Sequence, residues 1–136
     1  MNIDRFKQQH IEILSSISTL RTHVRNGIAN NATDIAALIV AMSSTIKLHL
    51  AVEDSTLYPA LQNGNNRALA QMGKRFQDEM QSIAASYLAF SRKWNTAARV
   101  EEDPEAFRAD ANSVLKVLYE RMQKENTDFY PAIEAS

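Results

Sequence analysis

The stretch His49-Leu-Ala-Val-Glu53-Asp-Ser-Thr-Leu57-Tyr58-Pro59-Ala60-Leu61 returns, position for position, as Arg121-Met-Gln-Lys-Glu125-Asn-Thr-Asp-Phe129-Tyr130-Pro131-Ala132-Ile133. Each copy sets a Glu four residues after a polar residue, then a large apolar residue, Tyr, Pro, Ala and an aliphatic. Residues four apart lie on one face of a helix. The two copies therefore present two polar pairs, His49 with Glu53 and Arg121 with Glu125. The correspondence extends upstream, where Gln9-His10 ahead of Ile13 parallels Glu79-Met80 ahead of Ile83. This is the pattern of a duplicated helical hairpin. A pseudo-twofold then sets residues 10, 49 and 53 of one half against 80, 121 and 125 of the other.

Apolar stripes at three- and four-residue spacing carry the pattern outward into four helices. The first runs through Ile3, Phe6, His10, Ile13, Ile17, Leu20 and Val24. The second runs through Ile35, Ile39, Met42, Ile46, His49, Glu53 and Leu57; Thr33 or Asp34 is its expected cap, and Tyr58-Pro59 with the Asn63 to Asn66 cluster its expected end. Leu69, Met72, Phe76, Met80, Ile83, Tyr87, Phe90 and Trp94 form the third stripe. The fourth starts at Asp103-Pro104, with Asp103 as N-cap, and holds Phe107, Ala111, Val114, Leu118, Arg121, Glu125 and Phe129. Short connections favour antiparallel neighbours, so the expected fold is all-α, an up-down-up-down four-helix bundle forming one domain over residues 1–136. Glu101 to Asp103 reads as a solvated lead-in to the fourth helix. His23 lies about 220° around the first helix from His10 and is expected to face solvent.

Composition narrows the chemistry. With 136 residues, 3 Gly and 3 Pro, the chain suits long helices in one core. Its 15 basic and 16 acidic residues leave no field that would draw it to nucleic acid or to an anionic membrane. No Cys is present, so any metal must be held by His and carboxylate. No serine has a recognisable base partner, which leaves a hydrolase triad unsupported. The polar start and the lack of any stretch approaching 18 apolar residues exclude a secretion signal and a membrane span, and the expected protein is cytoplasmic.

A core that admits His10, His49, Glu53, Arg121 and Glu125 at facing positions needs an explanation, because buried charge is costly unless it is paired or bound to metal. The pattern resembles the hemerythrin-like family, or HHE domains, over essentially the whole chain. That resemblance implies a four-helix bundle holding a di-iron centre, with a His from helix one, His-x-x-x-Glu from helix two, a His from helix three and His-x-x-x-Glu from helix four. His10, His49, Glu53 and Glu125 match this pattern. Met80 and Arg121 stand where two of the histidines belong.

A thioether is a poor ligand for iron in an oxygen-rich site, and a guanidinium has no lone pair to offer. The reading preferred from sequence is thus a metal-free core. In it Arg121 neutralises Glu53 and Glu125, and Met80 fills the vacated space. The protein would then be a non-enzymatic regulatory or interaction module with a protein partner or a homodimer. The alternative is a sensor or carrier of O2 or NO that binds iron, mononuclear or dinuclear, through His10, His49, Glu53 and Glu125. Tyr58 and Tyr130 are expected to cap helix ends, with a phenol at the site as the other reading.

Overall fold

Each apolar stripe becomes a helix in the computed structural model, which describes residues 2–136. Helix α1 (Asp4–Arg25) buries Phe6, His10, Ile13, Ile17 and Leu20 as the spacing requires. It stops at Gly27, whose φ of 118° is open to glycine and strained for other residues. Helix α2 (Ala32–Val52) follows a single 3-10 turn at Ala29–Asn31. Its cap position is Asn31, not the expected Thr33 or Asp34, which lie within the helix. The Asn31 side chain donates back to the Gly27 carbonyl at 2.7 Å, so the connection is tied to itself.

The second helix does not end at Tyr58-Pro59. It passes through a π turn, Glu53–Leu57, into α3 (Tyr58–Gln62), and stops at Asn63. In that wider turn the Tyr58 N–H donates to the Glu53 carbonyl, five residues back. The missing N–H of Pro59 falls at the start of α3, where the four-residue ladder is already interrupted, so the proline is accommodated. The duplicate does the same. Helix α6 (Pro104–Lys124) passes through the π turn Glu125–Phe129 into α7 (Tyr130–Ala135), and the Tyr130 N–H donates to the Glu125 carbonyl.

Helix α4 (Arg67–Lys93) is the third rod, capped by the Asn66 side chain. Between α4 and α6 lies a short helix absent from the sequence reading, α5 (Ala97–Glu102). Its fully buried Val100 packs toward α2, so Glu101 and Glu102 end a helix and are not a plain lead-in. On α6 the core takes Leu115 and leaves Val114 half-buried.

The chain is all-α, with no strand among the described residues. Helix α1 packs on α2 and α6, and α4 packs on the same two. Cross-helix pairs such as His10 with His49, Lys93 with Asp110 and Arg121 with Glu79 are compatible with the expected up-down-up-down order. One sequence expectation is corrected. The helical run Ala29–Gln62 is long and apolar enough to span a membrane, with a mean hydropathy of 1.8 over its best window. The residues it turns inward form part of the bundle core.

The apolar interior is divided. A larger cluster holds Ile13 to Leu20 of α1, Ile35 to Ile46 of α2, Met80 to Trp94, and Phe107 to Met122. A smaller one holds Ile3, Phe6, Leu57, Tyr58, Leu61, Leu69, Phe76, Phe129, Tyr130 and Ile133. Gly73 lets α3 lie close to α4 there, since a Cβ would come within 3.1 Å of Leu61.

The caps generate a paired prediction. Asp103 accepts from the Ala106 N–H at 3.1 Å, so Asp103→Ala should cost about 1 kcal/mol in denaturant melts. Thr33→Ala should stay within about 0.5 kcal/mol of the parent, because Thr33 caps nothing.

Candidate metal centre

Between the two apolar clusters lies a polar layer: Gln9 and His10 from α1, His49 from α2, Arg121 from α6, and Glu53 and Glu125 from the first positions of the two π turns. His49, Glu53 and Glu125 are wholly buried and His10 nearly so. The sequence-derived candidates thus do meet inside the bundle. Ligand atoms of His10, His49 and Glu125 all lie within 4.8 Å of one another. Glu53 joins this group through His49, whose Nε2 is 3.2 Å from its Oε1. Met80 is fully buried in the larger cluster, as a filler would be.

The outer nitrogens of both imidazoles are committed. His10 Nδ1 meets the Asn126 side-chain oxygen at 2.8 Å and His49 Nδ1 meets the Gln9 oxygen at 2.7 Å. An amide oxygen only accepts, so each Nδ1 carries a hydrogen. Burial lowers the His49 pKa, ahead of the raising pull of Glu125. His49 is therefore neutral, and its Nε2 is a bare lone pair directed inward. That lone pair lies 3.2 Å from His10 Nε2, which in turn is 3.0 Å from Glu125 Oε1. Tyr130 Oη is 3.0 Å from the same His10 nitrogen and donates toward Glu125 Oε1 at 3.4 Å. The phenol therefore stands in the site, the second of the two readings given for it.

Acceptors outnumber donors in this layer. Neither oxygen of Glu53 takes a hydrogen bond, and the one spare donor beside it is the buried Tyr58 hydroxyl, a single hydrogen for two oxygens. Burial, reinforced by the Glu125 charge, pushes the Glu53 carboxyl well above the usual carboxylate range. Glu125 goes the other way. Burial would raise it, but the His10 ring and the Arg121 guanidinium overcome that and hold it below the usual range. Both tyrosine hydroxyls are pushed up by burial first and then by the two carboxylates.

Arg121 departs from the expectation. Of the two carboxylates it was expected to neutralise, it pairs with Glu125 and not with Glu53. Its Nε donates to Glu125 Oε2 at 2.5 Å, Nη1 to the half-exposed Glu79 at 3.2 Å, and Nη2 to the Phe76 carbonyl. Its guanidinium carbon lies 4.4 Å from the Phe76 ring centroid, a cation–π contact. With three acceptors spread around it, the fork has no donor directed at Glu53. His23 is also corrected: it is half-buried, not solvent-facing.

Gln9, Asn126 and Glu79 were not foreseen as site residues. Each is the neighbour in sequence of a ligand position, one step off the apolar stripe, so periodicity gives no signal for it. The duplication does. Gln9 holds His49, and its counterpart Glu79 holds Arg121, the counterpart of His49. Asn126 holds His10; its counterpart Asp54 faces no imidazole, because Met80 stands there, and it accepts from Gln77 at 3.2 Å.

A divalent cation fits this donor set: two inward imidazole nitrogens, one of them a bare lone pair, and two carboxylates, one without a hydrogen bond. The hydrogen-bonded outer nitrogens are the usual support for ligating histidines. Compared with known families, the chain matches the hemerythrin HHE cation-binding domain over residues 1–133. No curated protein and no solved structure matched it.

The two carboxylates should respond oppositely to neutralisation in chelator-treated protein. Glu125→Gln removes the anion on buried Arg121 and should destabilise by about 3–5 kcal/mol. For Glu53 the folded-state pKa is raised, so the folded chain binds the extra proton and loses stability as pH climbs above the ordinary carboxylate range. Glu53→Gln should thus gain on the parent steadily from pH 5 to pH 8 in urea melts, and a difference independent of pH would show that Glu53 reaches a donor.

Proposed function

The chain belongs to the hemerythrin family of HHE cation-binding domains, and we propose that it holds one divalent cation on His10, His49, Glu53 and Glu125, with Arg121 as a fixed positive charge beside it. The observation that carries this reading is the surplus of buried acceptors. A neutral His49 nitrogen and Glu125 Oε1 flank His10 Nε2, and the unpaired Glu53 carboxylate lies against the same His49 nitrogen, with too few hydrogens to serve them. Such groups are costly in a dry interior unless a cation or protons occupy the space between them. The metal-free core preferred from sequence needed Arg121 to cover both carboxylates, and it reaches one.

A second cation has no comparable place. Met80 and Arg121 occupy the positions that would supply its imidazoles, and Arg121 donates to Glu125 Oε2 on that side. Glu125 therefore divides its two oxygens, Oε1 toward the imidazoles and Oε2 toward the guanidinium. In our reading the guanidinium balances the charge that a second ion would otherwise carry. When bound, iron at this position would supply reversible coordination of a small diatomic ligand such as O2 or NO. The chain's own groups do the rest. Gln9 and Asn126 orient the imidazoles, Tyr130 offers one hydrogen toward His10 and Glu125, and the stacked Phe76 and Phe129 rings, 4.5 Å apart, keep water out. We take the protein to be a non-enzymatic cytoplasmic sensor or carrier that reports to a partner protein or a second copy.

Elemental analysis after expression with ample iron should give close to one ion per chain, and His49→Ala should abolish it. Two ions per chain, or none, would sink the proposal. Chelation should lower the melting temperature by about 10 °C, since a ligand at 1,000 times its Kd adds about 4 kcal/mol.

A constructive variant tests Arg121 directly. Met80→His with Arg121→His should take up a second ion, because Asp54 and Glu79 already stand where the new imidazoles need outer partners. Either change alone should add little. A folded double variant that still holds one ion would mean that the two halves do not mirror each other at the site.

A further inference from the structure

We infer that the cleft between α1 and α6 is a binding site for an organic anion whose carboxylate or phosphate meets Arg21, Arg25 and Arg108 and whose apolar body lies along Val24, Ala111 and Leu115. These six residues line one cavity of about 360 Å³, with the Asn112 amide at its edge. A second cavity of about 280 Å³ shares Arg21 and Arg25 and continues down α1 over Leu14 and Ile17 to Tyr119. The volume of the first falls in the range of about 300–1,000 Å³ usual for small-molecule sites.

The charge is one-sided. Three guanidiniums line the first cavity and no acidic side chain lines either, in a protein whose net charge is −1. Among the described residues, Arg25 has no ion-pair partner. Arg108 has only an exposed contact to Glu105 at 3.5 Å, which competes weakly. Arg21 lies over the Tyr119 ring at 5.5 Å, which restrains its fork and lowers the entropy lost on binding. A guanidinium fork matches a pair of oxygens on either a carboxylate or a phosphate. The lining between the arginines is apolar: half-buried Val24 is its accessible part, packed over a floor closed by the core residues Ala111 and Leu115. A purely inorganic anion would leave that lining wet, and a purely apolar molecule would leave the arginines unused. The site is separate from the metal centre, since Arg21 lies eleven residues beyond His10, about 16 Å along the helix.

The test is calorimetry on the intact chain with four probes: octanoate, octyl phosphate, 1-octanol and inorganic phosphate. Octanoate or octyl phosphate should bind once per chain, about tenfold or more tighter than octanol and inorganic phosphate, and more weakly as salt is raised. Comparison of these two chains also identifies the head group. Arg21→Gln with Arg25→Gln should cost about tenfold in affinity at unchanged melting temperature and metal content. Val24→Asp, which leaves all three arginines in place, should also weaken binding. Absence of binding by both octyl anions overturns the proposal. So does octanol binding as tightly as octanoate, inorganic phosphate binding as tightly as octyl phosphate, or affinity indifferent to all three substitutions.

Discussion

Two imidazoles face each other across 3.2 Å in the middle of a helical bundle, with their outer nitrogens fastened to amide oxygens. Most of the interior is arranged around that constraint. Because the outer hydrogens are spent on Gln9 and Asn126, the imidazoles cannot turn to relieve the crowding of acceptors between them. The layer also interrupts the hydrophobic core, leaving apolar clusters above and below. A sequence selected for stability alone would fill that gap with Leu and Ile, which pack at similar volume without desolvating charge. The retained polar layer points to a role other than holding the fold together.

The π turns place the two carboxylates. Each begins at a Glu, and each adds a residue to the turn so that the backbone after it is shifted in register. Tyr58 and Tyr130, which close the turns, are buried in the smaller cluster, while the glutamates open into the polar layer. Single π turns recur at functional positions because they re-aim side chains without ending a helix. Here the same device appears twice, at matched positions, and in each case it is followed by a proline that needs no hydrogen-bond acceptor.

Much of this was legible in the sequence, and the rest was hidden for identifiable reasons. The stripes of α1 and α2, and most of those of α4 and α6, could be read because large apolar residues at three- and four-residue spacing have few alternatives. His10, His49, Glu53, Met80, Arg121 and Glu125 could be read because the duplication overlays them. Tyr58-Pro59 was misread as a stop because proline normally ends a helix; a π turn is invisible to periodicity. The reach of Arg121 was misjudged because a long side chain has several acceptors within range, and Glu79 and the Phe76 carbonyl lie off the stripe. Helix α5 was missed because its six residues carry one buried side chain, too few for a pattern.

The division of the core sets how the interior meets the outside. The smaller cluster closes one end of the bundle over the polar layer, built from α3, α7, the start of α1 and the start of α4. A small cooperative unit of this kind can open locally while the larger one stays folded. Glu53 is wholly buried, so a solute reaches it only when the packing around it opens, and the smaller cluster is the thinner cover. The residence time of anything held there is then a property of how often Phe6, Tyr58, Phe76 and Phe129 part company. Exchange becomes a matter of breathing at one end of the bundle, separate from the strength with which the layer holds its guest.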